Sequence, residues 1–236
     1  MPSRALALAQ LVRLPNVFTA FADILLAASV VGLFVGHLGT LALLLAASGC
    51  LYLSGMAWND FFDRHDDAKT RPTRPLPSGR IRPRTAALLA GGLMLAGVTF
   101  AVFAGWPDYT VGVAAVVLAG MIVLYDAVLK HYWVGPVGMG ACRFLNVLMG
   151  TLAIQTDDHL KSLHVAGVIG LYIVGVTWFA RTEEGTSKRV MLIAAAVVMA
   201  LALALAAVIP LHFEPGKTPW YYLYLLLAFG FVVGWP

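Results

Sequence analysis

Residues 38–57 read Leu-Gly-Thr-Leu-Ala-Leu-Leu-Leu-Ala-Ala-Ser-Gly-Cys-Leu-Tyr-Leu-Ser-Gly-Met-Ala, and residues 58–67 follow at once as Trp-Asn-Asp-Phe-Phe-Asp-Arg-His-Asp-Asp. The first part carries no charge and is long enough, at about 1.5 Å rise per residue, to cross a hydrocarbon layer of about 30 Å as a helix. If the helix runs on through the polar part, Asp60, Asp63 and Asp67 fall at i, i+3 and i+7 on a single face. Asn59 borders that face, and Phe61 and Phe62 are left to pack elsewhere.

The rest of the chain has the same character. Of its 236 residues 60% are hydrophobic and 12% charged, with a mean hydropathy of +0.83. Soluble domains carry about 25% charge. Apolar runs fall at 16–36, 38–60, 86–106, 109–129, 133–154, 163–181, 190–210 and 219–236. Backbone in lipid must satisfy its own hydrogen bonds, so each run predicts a helix. The expectation is an all-α polytopic bundle with eight visible spans in a single transmembrane domain over residues 1–236. An ordinary soluble enzyme, a nucleic-acid binder and a disordered chain are excluded. Cys50 and Cys142 both lie in apolar runs, in no metal-ligand spacing, and give no disulfide scaffold. The run Val17–Val35 contains Asp23 and is too long for a signal peptide, which predicts a retained first span.

Lysines and arginines set the expected orientation. With the N-terminus in the cytoplasm, thirteen of the sixteen lie in inner segments, Lys161 and Lys217 lie outside, and Arg143 falls within a span. This bias follows the positive-inside rule and turns the segments after the second and sixth runs toward the cytoplasm. The last run stops at Pro236 with no polar tail, which predicts a chain truncated at its C-terminus.

Three carboxylates within two helical turns repel one another unless something positive lies between them. Mg²⁺ suits them, being a hard cation held by a few carboxylates together with substrate phosphates. The following segment, Lys69-Thr-Arg71-Pro-Thr-Arg74-Pro-Leu-Pro-Ser-Gly-Arg80-Ile-Arg82, is stiffened by proline and rich in arginine. Such a loop suits the outer oxygens of a diphosphate. The alternative, a solvated helix end beside arginines that only set topology, leaves the acidic face without a purpose.

Asn59-Asp60-x-x-Asp63-x-x-x-Asp67, followed by Arg71-Pro-Thr-Arg74-Pro-Leu-Pro-Ser-Gly, resembles the first aspartate-rich motif of the UbiA superfamily of intramembrane prenyltransferases. Leu11-Val-Arg13-Leu-Pro-Asn16 resembles that family's start of helix 1. The resemblance implies nine spans where eight are visible, which again fits a missing C-terminal helix. It implies that Asp60, Asp63 and Asp67 act in catalysis as ligands of Mg²⁺. Asn16, Asn59, Arg71 and Arg74 would then bind an isoprenyl diphosphate.

A second aspartate-rich motif is expected after the sixth span, but residues 172–188 contain no aspartate. As a helix they stack Thr177, Arg181, Glu184 and Lys188 on one face. Either Glu183 and Glu184 hold a second metal ion, or Arg181 and Lys188 contact phosphate directly; the further alternative is a self-paired ladder with no ligand. Near the end of the fourth span the family carries a tyrosine and a lysine four residues on. Here Tyr125 is followed by Lys130, five residues on. The resemblance offers both as catalytic substrate contacts, with an Asp126–Lys130 helix pair as the structural alternative. Arg143 and Asn146 lie one turn apart in the fifth span. They either face a polar cavity and the substrate, or Arg143 is neutralised by Asp23 or Asp126. The segments Tyr125–Lys130, Cys142–Gly150 and Thr177–Glu183 resemble the EboC-like branch of the superfamily, whose proteins occur with other Ebo proteins.

The function this implies is Mg²⁺-dependent prenyl transfer to an aromatic or lipophilic small-molecule acceptor, with the isoprenoid tail among the helices or in membrane lipid. Tyr125 or Trp178 would face the allylic cation. The site would lie on the cytoplasmic side of a bacterial inner membrane. The rival is a non-catalytic binder or transporter of a diphosphate or anionic metabolite on the same fold. A phospholipid head-group transferase would need an Asp-Gly…Ala-Arg…Gly…Asp…Asp pattern that this chain lacks.

Overall fold

The structure, a computed structural model, describes residues 4–154, 158–183 and 189–213. These form α1 (Arg4–Leu11), α2 (Phe18–Val31), α3 (Leu38–Thr70), α4 (Pro83–Gly105), α5 (Thr110–Ala127), α6 (Gly135–Thr151), α7 (His159–Glu183) and α8 (Arg189–Phe213), with no strand among the described residues. Among the described residues six segments are long and apolar enough to cross a membrane: Arg4–Val31, Leu38–Thr70, Pro83–Gly105, Thr110–His131, His159–Arg181 and Arg189–Val208. The fifth expected run is a helix, α6, but at 17 residues it is not one of the six. The run 219–236 lies outside the described residues.

The first expected span begins later than its apolar run and is joined by an element the hydropathy pattern did not predict. The short helix α1 ends before Arg13, whose backbone is left-handed at φ 47°, ψ 49°. A 3-10 turn, Leu14–Val17, then leads into α2, with Pro15 at its start. Gly32, at φ 76°, closes α2 with its N–H on the Ala28 carbonyl, a left-handed cap that a side chain would resist.

Helix α3 runs unbroken through the polar motif for 33 residues. No glycine or proline interrupts it between Met56 and Thr70, and it stops at the residue before Arg71-Pro72. The proline ring disfavours a helical backbone at Arg71, which turns out to φ −140°, ψ 60°. Helix α4 restarts with Pro83 in its first turn, where a missing N–H costs nothing.

The chain divides into two compact units, Met1–Trp133 with Leu145–Thr156, and Val134–Phe144 with Asp157–Pro236. In the first, α3 packs on α2, α4 and α5, and α4 packs on α5. Small residues allow the close approach: a methyl group on Gly97 would lie 2.8 Å from Leu51 Cγ and 3.0 Å from the Ala47 carbonyl oxygen. Ser54 Oγ donates to the Ala90 carbonyl at 2.7 Å, fully buried between α3 and α4. Ser54→Ala is expected to cost about 1 kcal/mol, read as a lower unfolding temperature of the purified protein with unchanged helix content. In the second unit α7 packs on α8.

Candidate functional site

The polar end of α3 gathers side chains from three other parts of the first unit. Asp60 and Asp67 are buried, at 4% and 5% exposure, and Asp63 is half-buried. Buried carboxylates need opposite charge or donors around them, and each of the three has a cation. Asp60 Oδ1 accepts from Arg13 Nη2 at 3.0 Å and from Arg74 Nη1 at 3.5 Å. The same Arg74 nitrogen donates to Asp67 Oδ2 at 2.6 Å. Asp63 Oδ1 pairs with Lys130 Nζ at 2.7 Å.

Asn59 ties the cluster to α5. Its Nδ2 donates to Asp126 Oδ1 at 3.1 Å, and its Oδ1 accepts from Arg13 at 3.3 Å. Its main-chain carbonyl accepts from Lys130 Nζ at 3.4 Å. One helix edge thus carries four oxygen-bearing side chains over about 12 Å, met by the guanidiniums of Arg13 and Arg74 and by the ammonium of Lys130, just after α5.

The helix geometry explains this convergence. The spacing 59, 60, 63, 67 keeps the acids on one face. Arg13, left-handed between α1 and the 3-10 turn, places its guanidinium against the end of α3. The loop after α3 folds back, with Leu76 and Ile81 buried in a cluster with Ala7, Leu11, Ala57, Ala86 and Ala90. That anchorage brings Arg74 over the acids.

Among the described residues no three His, Cys, Asp or Glu side chains converge closely enough to hold a metal ion by themselves. The acids are hard oxygen donors spaced along the helix. This fits an ion such as Mg²⁺, which is bound through one or two carboxylates and completed by substrate phosphates. It does not fit an all-protein cage.

The other residues picked out in the sequence are dispersed. Arg71 is exposed at the end of α3, and Asn16 is exposed on the 3-10 turn, where its carbonyl accepts the Thr19 hydroxyl. Tyr125 is half-buried on α5 beside Asp126. Asn146 is buried, and its Nδ2 donates to Asp23 Oδ2 at 3.0 Å and the Ala20 carbonyl at 3.2 Å, joining α6 to α2. In the second unit, Arg143 and Arg181 are half-buried and Glu183 ends α7. Glu184 and Lys188 lie outside the described residues. Arg13, by contrast, enters the cluster although only its neighbour Asn16 was expected to. Its signal was a lone basic residue two positions before Pro15.

Residues 16–236 match the UbiA prenyltransferase family. The chain belongs to that family. Relatives within it include the digeranylgeranylglyceryl phosphate synthase of Methanothrix thermoacetophila, 31% identical over 69% of this chain and 60% of the relative. The enzyme of the same name from Methanopyrus kandleri is 29% identical over 82% of this chain and 73% of its own. The 4-hydroxybenzoate octaprenyltransferase of Sodalis glossinidius is 28% identical over 62% and 48%. The chain therefore spans less than two thirds of the Methanothrix protein's length. A solved structure from work on digeranylgeranylglyceryl phosphate synthase in membranes superposes with a TM-score of 0.77 over 97% of this chain and 84% of that one, at 21% identity. That likeness establishes the UbiA fold.

Proposed function

We propose that the protein transfers a prenyl group from an isoprenyl diphosphate to a lipophilic or aromatic acceptor within the membrane, assisted by Mg²⁺. The observation that carries this reading is the alternation of Asp60, Asp63 and Asp67 with Arg13, Arg74 and Lys130 on one helix edge. An anion site alone gains nothing from three carboxylates. A cation site alone gains nothing from two guanidiniums and an ammonium. A metal–diphosphate pair uses both. The relatives' names, which specify prenyl transfer to a glyceryl phosphate or to 4-hydroxybenzoate, support the same class of reaction.

In this reading one or two of Asp60, Asp63 and Asp67 at a time would hold the ion, completed by substrate phosphate, and when bound it would supply charge neutralisation to the departing diphosphate. Arg74 and Lys130 turn from the carboxylates to phosphate oxygens, and Asn59 orients the headgroup from the α5 side. As the C1–O bond breaks, its electron pair leaves with the diphosphate and the allylic carbon becomes cationic. Tyr125 is the aromatic candidate to face that charge. The acceptor attacks C1 and releases a proton, and water must be kept away or the cation is hydrolysed. The lysine and arginine bias supports a site on the cytoplasmic side. The EboC-like segments extend the reading to a protein that works beside other Ebo-type proteins.

The test uses full-length protein in native membranes with labelled geranyl, farnesyl and geranylgeranyl diphosphates and extracts that supply acceptors. Diphosphate release and a prenylated product are expected with Mg²⁺, and both should vanish with a chelator and in Asp63→Ala. Mg²⁺-dependent binding without turnover would replace the enzyme with a carrier.

A further inference from the structure

The loop between α3 and α4 also carries Arg80, which among the described residues pairs with no carboxylate. Arg80 spends all three faces of its guanidinium on neutral oxygens. Its Nη1 donates to Gln10 Oε1 on α1 at 2.8 Å, its Nη2 to the Thr73 carbonyl at 2.7 Å and its Nε to Ser78 Oγ at 3.1 Å. The Ser78 hydroxyl passes its own proton to the Arg74 carbonyl at 2.6 Å, and the Ser78 N–H reaches that same carbonyl at 3.0 Å. Gly79, at φ 74°, supplies the left-handed turn that sends the chain back toward Arg80.

A continuous set of hydrogen bonds therefore runs from α1 through Arg80 and Ser78 to the main chain of Arg74. The Arg74 side chain then reaches Asp60 and Asp67. We propose that Arg80 is a positioning residue, clasping the 71–82 loop to α1 at Gln10 and thereby aiming Arg74 at the α3 carboxylates. This rests on the functional reading above and adds a residue to it. Arg80 acts through Arg74 and does not itself touch the diphosphate.

The competing account is that Leu76 and Ile81, buried beneath the loop, already hold it, leaving Arg80 as decoration. The two accounts separate in a double-mutant cycle on the full-length protein, because coupling between Arg80 and Arg74 exists only if one acts through the other. Equilibrium binding of geranylgeranyl diphosphate with Mg²⁺ is measured for wild type, Arg80→Gln, Arg74→Gln and the double variant, beside hydrogen exchange of the loop amides. Arg80→Gln is expected to speed exchange across residues 71–82 by about tenfold and leave α4 and α5 unchanged. It should weaken binding by about fivefold in the wild-type background and by less than about twofold once Arg74 is Gln. Gln10→Ala, which removes one bond of the clasp, should give part of the same loosening. Unchanged loop exchange, or equal weakening in both backgrounds, overturns the proposal. Loosened exchange in Arg80→Gln without any binding by the wild type overturns the prenyl diphosphate reading, and the aiming role with it, while leaving the clasp as structure.

Discussion

Asp60→Ala is expected to lower kcat/KM for prenyl transfer by about 10³-fold, the scale on which enzymes lose rate when a charge-stabilising group of the reacting centre is removed. Asp60 is the best buried of the three acids and the point where Arg13 and Arg74 meet. Its loss would withdraw a proposed metal ligand and also leave two guanidiniums without a shared acceptor. Arg74 keeps Asp67, so the loop should stay in place and the protein should still accumulate in membranes. Asp66→Ala is the internal control. That residue is exposed nearly two turns further along α3, and its loss should change turnover by less than about twofold. The comparison is made on membranes matched for protein content. Equal activities for the two variants would remove the acidic face from the chemistry.

The largest expected effect on stability lies elsewhere. Asn146→Leu is expected to cost about 2–3 kcal/mol, because it removes a donor from a carboxylate buried in a span. Asp23 and the Ala20 carbonyl both accept from this one amide, and Ser48 Oγ shares the Ala20 carbonyl at 3.2 Å. One turn further along α6, a methyl group on Gly150 would lie 2.6 Å from Ala27 Cβ, so the two helices touch and leave no room for a replacement water. Thermal unfolding of the purified variant should show the loss. Asp23→Leu combined with Asn146→Leu should recover part of it, since an apolar pair of similar shape strands fewer polar atoms. A double variant weaker than the single one would mean that Asp23 serves other partners of greater weight.

The helical class and the acidic face of α3 were legible for concrete reasons. Uncharged runs have one solution in lipid, and an interval free of glycine and proline from Ala57 to Thr70 let the helix carry its period across the polar boundary. Helix α1 was not legible, because eight residues with two faces of alanine and leucine lack the length that marks a span. Arg13 was overlooked beside Asn16 because its role depends on a left-handed backbone, which periodicity does not report. The sequence offers Asn146 as a cavity or substrate contact, and in the structure its amide bonds to Asp23 and the Ala20 carbonyl between helices. Both outcomes satisfy the same rule for a polar group in a span, and only the neighbours decide between them. Lys130 was readable as a partner for some acid, but a helix-pair argument favours Asp126, four residues away, over Asp63, which comes from another helix.

The 33 residues of α3 make a rod about 50 Å long, roughly 20 Å more than a hydrocarbon layer requires. Counted from the uncharged run 38–57, the surplus is residues 58–70, so the rise of Asp60, Asp63 and Asp67 beyond that run is set by helix geometry and not by the posture of a loop. A molecule with a doubly anionic head and a greasy chain can then be received as it already lies in a bilayer. The head stays at the boundary and the chain descends beside residues 38–57. Sinking a bare ion into hydrocarbon would cost tens of kcal/mol in the Born limit, and a docking post that stands proud of the membrane never asks its guest to make that descent.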